Sequence, residues 1–410
     1  MSKNIDRIAI VSSSFPPYSS DGVSNSHYNL FCALENKGYN VKAFTIRDGR
    51  GCNLKDEENI VRGGLPHLIV KLIHMVIFLI FRVIGEKGIV YQFADAITGS
   101  LGALFLKRKI KQFKPDIVVI PDQGVPGIFL PRLKDGRIVL ISHHNPARFL
   151  DEPLFGLHSH LDAMLTLKLE NLVLKRVNGV ICPSQYMKEV FLKTYIFNGP
   201  IDVIPNIVDI SVITQVENSF LCEKNGLPVK TPIVYIPSAG SDFKGRQFVF
   251  EIIRRVSSCY KKDIAFYLSG DIGCELARTL ELVPSNVHII KPGKISYKDN
   301  IGNVKSCTLC ISPTLIENFG MALLEAQLCG IPAITFDTGG NGDIVKDGET
   351  GYIAPFADIE KLIELSLKLL LDEKLRHKLS INSSEYIREK FNGNIVVEKF
   401  LHFFVNILEK

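Results

Sequence analysis

Residues 308–326 read TLCISPTLIENFGMALLEA and join an apolar run to a loop and then to a helix-like segment. The run at 308–311 has the short, apolar pattern of a buried strand. Gly320 allows the backbone to approach a ligand closely, and amides 319–323 at the helix start carry the positive end of the helix dipole. The stretch therefore predicts a βα unit of an α/β fold, with a seat for a diphosphate at the helix start.

Two glutamates flank this predicted seat. Glu325 lies four residues after Met321, and because helical side chains lean toward the N-terminus, its carboxylate can accept two hydrogen bonds from a ribose diol. Glu317, in the loop ahead of the helix, can accept hydroxyls of a sugar on the other side of the phosphates. An isolated pair of glutamates at this spacing is more often a surface residue and a capping carboxylate. The surrounding sequence therefore has to show whether this pair binds a ligand.

The alternation of strand and helix continues along the chain in two series. Predicted strands lie at residues 8–12, 41–45, 117–120, 138–141, 180–182 and 201–204, and again at 233–236, 264–268, 287–290, 308–311, 333–336 and 351–353. Helix-length segments between them predict two parallel sheets. Residues 207–232 have weak periodicity and are interpreted as a linker. Ligands bind beyond the carboxyl ends of strands in such sheets, which is where the glutamates lie.

The composition is that of a globular protein. A chain of 410 residues is long for one core, and 46% hydrophobic with 22% charged residues argues against long disordered regions. Nine scattered cysteines, and an N-terminus without the apolar core of a signal peptide, favour the cytoplasm. Cys307 and Cys310 form a C-x-x-C inside an apolar run, so we expect core packing and not a metal or redox site.

The N-terminal half is the more basic one and contains the segment most relevant to a membrane. Residues 65–84 are about as long as a spanning helix, but Lys71, His74 and Arg82 interrupt them, and the longest apolar run, 75–81, is too short to span. A buried helix is the favoured interpretation, and an amphipathic helix on a membrane surface is the alternative. Basic residues, which we expect on a surface helix, cluster at Lys107, Arg108, Lys109, Lys111 and Lys114.

Residues 308–326 continue into three further motifs, CGIPAI at 329–334, DTGGNGDIV at 337–345 and DGETGY at 347–352. The whole run resembles glycosyltransferase family 4, and weaker matches extend the resemblance over nearly the entire chain. It implies the GT-B fold, in which two facing Rossmann-like domains with parallel sheets enclose a deep interdomain cleft. The expected domains are residues 1–206 on the acceptor side, 207–395 for the nucleotide sugar, and a C-terminal helix at 396–410 that packs back on either domain.

The resemblance also implies the residues of the donor site. The family's diphosphate-binding lysine matches Lys244, whereas its arginine position holds Ala239; Arg246 is the residue expected to compensate. Gly270 corresponds to a turn beside the nucleotide, and the backbone of Lys294 and Ile295 would meet the base. The predicted donor-binding residues are Gly22, Lys244, Arg246, Gly270, Lys294, Ile295, Glu317, Phe319, Gly320, Met321, Ala322 and Glu325.

On the acceptor side, residues 14–23 resemble the family's glycine loop, with Gly22 as the residue of close approach. The predicted strand at 138–141 ends at His143 and His144, where the family places a histidine near the reacting carbon. His143 is preferred, His144 is the alternative, and Glu170 is a further candidate. The predicted catalytic residues are His143, His144, Glu317 and Lys244.

The implied reaction is front-face transfer with retention of configuration, from a UDP- or GDP-linked sugar to a hydroxyl of a glycan or lipid-linked glycan. Cell-surface polysaccharide or glycolipid synthesis is the expected setting, at the inner membrane face, with peripheral contact between the basic N-terminal half and anionic lipid. The chain contains no D-x-D, so we expect no metal and no cofactor beyond the nucleotide sugar, and no nucleic acid. The alternatives are a non-catalytic nucleotide-binding partner subunit and a sugar-nucleotide epimerase. A dehydrogenase is disfavoured because no G-x-G-x-x-G follows the first strand.

Overall fold

The computed structural model describes residues 5–17, 22–48, 58–150, 154 and 156–409. The chain divides into two compact units. The first unit comprises Met1–Ile207 together with Gly393–Lys410, and the second comprises Val208–Asn392. The helix α15 (Gly393–Leu408) thus belongs to the first unit although it follows the second in sequence.

Each unit is built around one parallel sheet. The strands are β1 (Arg7–Ser12), β2 (Asn40–Thr45), β3 (Ile60–Arg62), β4 (Ile117–Pro121), β5 (Arg137–Ile141), β6 (Gly179–Cys182) and β7 (Ile201–Val203) in the first unit, and β8 (Ile233–Ile236), β9 (Ile264–Leu268), β10 (Val287–Ile290), β11 (Leu309–Ser312), β12 (Ala333–Phe336) and β13 (Gly351–Ala354) in the second.

Helices connect the strands and cover both faces of each sheet. They are α1 (Gly22–Asn36), α2 (His67–Val83), α3 (Gln92–Phe113), α4 (His160–Leu174), α5 (Gln185–Thr194), α6 (Ile210–Gln215), α7 (Leu221–Lys224), α8 (Arg246–Tyr260), α9 (Gly273–Thr279), α10 (Tyr297–Val304), α11 (Met321–Leu328), α12 (Asn341–Ile344), α13 (Ile359–Leu371), α14 (Glu373–Lys390) and α15. Both α6 and α7 lie within the stretch that the sequence suggested as a linker.

The two sheets share one topology. Their strand orders are β3-β2-β1-β4-β5-β6-β7 and β10-β9-β8-β11-β12-β13, and all neighbouring strands are parallel. In each sheet the direction of winding reverses once, between β1 and β4 and between β8 and β11. Such a reversal opens a crevice at the carboxyl ends of the two strands, where ligands bind in doubly wound folds. The prediction of two Rossmann-like units with parallel sheets is confirmed.

The core of the first unit depends on its C-terminal helix. In α15, Val396, Phe400 and Phe404 are at most 3% exposed and pack in the same cluster as Ile8 and Val139 of the sheet. Fully burying a large apolar side chain stabilises a fold by about 1.5–3 kcal/mol relative to leaving it exposed. The aromatic stripe of α15 is therefore a main contributor to the stability of this unit.

Helix α2 corrects one expectation. The buried-helix interpretation of residues 65–84 is wrong, because Phe81 is the buried side chain of α2 while most of its other apolar residues are exposed. Sequence hydrophobicity cannot distinguish a helix surrounded by core from one that contacts it along a single narrow stripe. Within the described part of the chain, no helix is both long and apolar enough to cross a membrane. The basic residues at 107–111 lie on the exposed surface of α3, as expected.

Candidate functional site

Lys244 and Glu317, predicted from separate motifs, meet in the second unit. Lys244 lies in the loop after β8 and Glu317 in the loop after β11, so the two residues flank the reversal point of this sheet. Lys244 Nζ lies 2.7 Å from Glu317 Oε2, and the two side chains are 32% and 15% exposed. A charge-assisted hydrogen bond of this length holds both groups in place while leaving the ammonium accessible to an anion.

Glycines allow the loops around this pair to touch. A Cβ on Gly245 would lie 2.0 Å from the Pro313 carbonyl oxygen, and one on Gly339 would lie 1.7 Å from the Glu317 carbonyl oxygen. Both glycines have positive φ, at +82° and +55°, so other residues would be strained as well as crowded. The amide of Gly340 donates to the Glu317 carbonyl oxygen at 3.2 Å. The loops after β8, β11 and β12 therefore form one fixed support for Glu317.

The predicted phosphate seat lies at the start of α11. Gly320 precedes the helix with φ +97°, and its carbonyl oxygen accepts the first helical hydrogen bond, from the amide of Leu324. The amides of Met321 and Ala322 therefore belong to the first turn, which has no intrahelical acceptors. Phe319 is 2% exposed and packs edge-on against Phe391, so it can offer a ligand only its backbone. This arrangement suits an anion.

Glu325 lies one turn into α11 and has a partner that sequence reasoning missed. The hydroxyl of Tyr297 donates to Glu325 Oε1 at 3.1 Å. Burial raises the pKa of Glu325 to about 7, and the hydrogen bond from Tyr297 opposes part of that rise. The pKa of Tyr297 is raised by burial and by the negative charge of Glu325. Ser296 fixes the start of α10 by accepting from the amide of Asp299 at 3.1 Å, and this places Tyr297 at the first helical position.

The structure explains the departure at Ala239. This residue is fully buried in the core of the second unit, and its amide donates to the Ser269 carbonyl oxygen at 3.1 Å, so an arginine side chain has no room there. Arg246 is held by two carboxylates, through Nε to Asp242 Oδ1 at 2.7 Å and through a terminal nitrogen to Glu275 Oε2 at 3.1 Å. Compensation by Arg246 would require exchange of these ion pairs, and it stays a prediction.

The remaining donor-side residues lie in loops at the same sheet edge. Gly270 follows β9 with φ +85°, and its loop contacts the one after β8, because a Cβ on Gly240 would lie 2.0 Å from the Asp271 carbonyl oxygen. Lys294 is exposed and Ile295 is half-buried in the loop after β10. Their contacts with a nucleotide stay predictions.

In the first unit, the two histidines after β5 differ in accessibility. His143 is 3% exposed and packs on His27, with ring centroids 5.3 Å apart, whereas His144 is half-buried and lies 5.5 Å from the Phe149 ring. Burial lowers the pKa of His143 well below its ordinary value and that of His144 to about 4. Both imidazoles are therefore neutral near pH 7. His144 is the less buried of the two residues, and the choice between them stays a prediction.

Asp122 fixes the histidine loop and was missed at the sequence level. It follows β4 and is 6% exposed. One of its oxygens accepts from Ser142 Oγ at 3.0 Å and from the amide of His144 at 2.8 Å. Burial raises its pKa to about 6, and these hydrogen bonds limit the rise. Its position two residues after the predicted strand at 117–120 was the signal that could have found it.

Two other acceptor-side candidates have different surroundings. Glu170 is buried and accepts a short hydrogen bond from the Tyr195 hydroxyl, so it is part of the interior of the first unit and not an exposed ligand. Gly22 is the first residue of α1, and a Cβ there would meet no described atom within 4 Å. Residues 18–21 of its loop lie outside the described residues, so the role of Gly22 stays a prediction.

The sequence predicted that Cys307 and Cys310 pack in a core and do not form a metal or redox site. Cys307 and Cys310 are buried in the core of the second unit, and burial raises the pKa of both thiols. The eight described cysteines are free. No group of three or more His, Cys, Asp or Glu residues in the described ranges is arranged to hold a metal ion.

Comparison with known proteins matches each half of the chain to a family model. Residues 20–212 match the model described as Glycosyltransferase Family 4, and residues 221–386 match Glycosyl transferases group 1. N-acetyl-alpha-D-glucosaminyl L-malate synthase of Bacillus anthracis is 26% identical over 52% of this chain and 55% of its own length. The UDP-Gal:alpha-D-GlcNAc-diphosphoundecaprenol alpha-1,3-galactosyltransferase of Escherichia coli is 25% identical over 58% of this chain and 63% of its own length.

Both alignments span less than two thirds of the relatives' lengths. Among solved structures, sucrose-phosphate synthase from Thermosynechococcus elongatus aligns with a TM-score of 0.72 and 17% identity, over 98% of this chain and 99% of that one. At such low identity the likeness concerns the fold, which is thereby shared over the full length of the chain.

Proposed function

Because the chain belongs to glycosyltransferase family 4, we propose that it transfers a sugar, with retention of configuration, from a nucleotide-sugar donor to a hydroxyl of a glycan or lipid-linked glycan. The observation that carries this proposal is the convergence of Lys244, Glu317 and Glu325 around the start of α11, inside the unit that matches the group 1 model. The donor is a sugar linked to UDP or to GDP.

The diphosphate binds at the first-turn amides of α11, with Lys244 beside it. As the bond between the sugar and the phosphate breaks, negative charge grows on the leaving diphosphate, and a lysine already held at the site stabilises this charge without reorganisation. Lys244 and the amides supply the positive charge that a metal ion provides in other transferases, so binding is metal-independent. Glu317, whose Oε2 is 2.7 Å from Lys244 Nζ, orients the lysine and accepts hydroxyls of the sugar.

Glu325 binds the ribose diol, and ionised Glu325 is the form that accepts both hydroxyls. Tyr297 holds one of its two carboxylate oxygens, so the side chain is oriented before the nucleotide arrives. Preorganised acceptors of this kind reduce the entropy lost on binding.

On the acceptor side, His144 contributes a neutral imidazole. Its low pKa makes it a hydrogen-bonding group for a sugar hydroxyl and not a cation at neutral pH. In front-face transfer the acceptor hydroxyl bonds to the sugar carbon on the same face from which the diphosphate leaves, and the leaving phosphate oxygen takes the hydroxyl proton. Neither an enzyme nucleophile nor an enzyme base is therefore required. Asp122 maintains the loop that presents His144.

We propose that the acceptor is lipid-linked and that the protein works in cell-surface polysaccharide or glycolipid synthesis. The E. coli relative is named for a diphosphoundecaprenol-linked acceptor, which supports this choice. Free thiols fit the reducing cytoplasm, and the basic N-terminal half fits peripheral contact with the anionic inner face of the membrane.

A thermal-shift panel with UDP, GDP, ADP and CMP, each with and without Mg²⁺, tests the donor site. A ligand at about 100 times its Kd adds about 2.7 kcal/mol to the free energy of unfolding. We expect one nucleotide to stabilise the wild type regardless of Mg²⁺ and to lose its effect on Glu325→Ala. Stabilisation by none of the four would contradict the proposal.

The loss of the clamp arginine at Ala239 favours one alternative, a non-catalytic subunit that binds nucleotide only. One experiment distinguishes a transferase from a subunit that only binds nucleotide. The protein is incubated with the matching UDP- or GDP-sugars and a diphosphoprenol-linked acceptor, and NMR then records the anomeric proton of any product. We expect a product that keeps the donor's anomeric configuration. Nucleotide binding without any transfer would favour the subunit.

A further inference from the structure

A buried ion pair lies at the carboxyl edge of the first sheet. Arg62 is the last residue of β3, and Asp48 follows the end of β2 by three residues. Arg62 Nη1 lies 2.7 Å from Asp48 Oδ2, and the two side chains are 2% and 1% exposed. Because water does not solvate either charge, both groups have to find their hydrogen bonds inside the protein.

Both members of the pair hold the loop that follows β1. Arg62 donates through Nη1 to the carbonyl oxygen of Phe15 at 3.3 Å and through Nη2 to that of Pro16 at 2.7 Å. Asp48 Oδ2 accepts from the amide of Phe15 at 3.4 Å. Since β2 lies between β3 and β1 in the sheet, Arg62 reaches across a whole strand to make these contacts.

The loop held in this way lies where the winding of the first sheet reverses. The reversal is between β1 and β4, so the loop after β1 borders the crevice that it opens. Phe15 is fully buried and packs on Tyr28 and Phe31 of α1, with ring centroids 5.3 and 5.7 Å away. Helix α1 also carries His27, whose ring packs on that of His143. A shift of Phe15 would therefore be transmitted both to the loop and to the helix that supports the histidine.

Stability alone gives no reason for a buried ion pair at this place. Removing two charges from water costs free energy that their attraction often fails to recover, and apolar residues of similar volume are often as stable or more so. The guanidinium has a different advantage, because its donors form a rigid planar fork. Arg62 uses this fork to hold one carboxylate and two carbonyl oxygens at once, which an apolar side chain cannot do.

We propose that Arg62 and Asp48 are positioning residues for sugar transfer. They fix the loop after β1 at Phe15 and Pro16, and through Phe15 they fix α1, so that the crevice of the first unit is formed before the acceptor arrives. A misplacement of about 1 Å in such a supporting segment can lower a reaction rate about a hundredfold. The inference rests on the proposed function, because the rate that it concerns is that of transfer.

The variant that tests the pair is R62K. Lysine keeps the positive charge beside Asp48, but its ammonium is a point charge and cannot reproduce the fork that Arg62 directs at the carboxylate and the two carbonyl oxygens. Because the diphosphate site lies in the second unit, we expect the variant to change the transfer step and not the binding of the nucleotide.

The matched control is R176K. Arg176 belongs to the same unit and also holds a loop, since it donates to the carbonyl oxygens of Gly127, Ile128, Leu130 and Pro131 at 2.6 to 3.3 Å. It lies three residues before β6, at the amino edge of the sheet and so away from the crevice. The same exchange of arginine for lysine therefore disturbs a comparable contact that has no part in the proposed positioning.

Initial rates of transfer are measured with the nucleotide sugar varied at saturating acceptor, below the melting temperature of every variant. We expect R62K to lower kcat about a hundredfold and to leave the KM for the nucleotide sugar unchanged. The control should transfer at the wild-type rate. Stabilisation by the nucleotide should be the same in all three proteins.

A wild-type kcat in R62K, or equal losses of kcat in R62K and R176K, would overturn the inference, because the pair would then contribute only to general stability. If R62K does not fold, the double variant D48L/R62M decides, since it removes both buried charges and leaves neither unpaired. It should show the same loss of kcat, and either a wild-type rate or a failure to fold would overturn the positioning role. A wild-type protein that transfers no sugar would contradict the proposed function itself, and the inference would fail with it.

Discussion

The ionisation of Glu325 makes nucleotide binding depend on pH. Its pKa in the unliganded protein is about 7, because burial penalises the carboxylate more than the Tyr297 hydroxyl stabilises it. If only the carboxylate accepts both ribose hydroxyls, the binding-competent fraction falls about tenfold between about pH 8 and about pH 6. That loss corresponds to about 1.4 kcal/mol of binding free energy.

Isothermal titration calorimetry with the nucleotide identified by thermal shift measures this effect. Phosphate groups of the nucleotide also titrate in this range. The matched control is Glu325→Gln, which keeps the shape of the side chain but has no proton to lose, so it reports the nucleotide's own contribution. We expect the ratio of Kd at the two pH values to be about tenfold larger for the wild type than for the glutamine variant. Equal ratios would refute the assignment of Glu325 to the ribose.

Three further outcomes follow from contacts in the two units. Lys244→Met should lower kcat about a hundredfold with little change in the melting temperature, because the lysine stabilises charge that develops during transfer; a change in KM alone would contradict this role. Asp122→Ala should cost about 2 kcal/mol of stability and lower the melting temperature by about 4–8 °C, since it leaves the donors of the histidine loop without their acceptor; calorimetry measures this, and an unchanged melting temperature would contradict it. Tyr297→Phe should raise the pH midpoint of nucleotide binding, because the hydroxyl favours the ionised form of Glu325; a midpoint that falls would show that the hydrogen bond has another role.

The strands were largely predictable because parallel core strands are short apolar runs with sharp ends. The runs at 233–236, 264–268 and 333–336 match β8, β9 and β12 residue for residue. The missed strand was β3, whose three residues at the edge of the sheet give no periodic signal. Position in the sheet, and not composition, makes this segment a strand.

The site was partly predictable for a related reason. Lys244 and Glu317 belong to loops that directly follow strands, and the topology brings those loops together. Tyr297 gave no such signal, since its contact with Glu325 depends on how α10 packs beside α11 and not on any spacing in the sequence. The exposure of α2 was unpredictable too, because an apolar sequence specifies what a helix can bury and not whether a neighbour covers it.

The return of α15 to the first unit has a consequence for synthesis of the protein. The ribosome releases residues 208–392 before residues 393–410, so the second unit has its whole sequence available while the first still lacks the helix that covers Ile8 and Val139. Domains usually complete their folding in the order of their sequence. Here the first unit to be translated is the last to be finished, and until then its uncovered apolar face is a natural target for a chaperone.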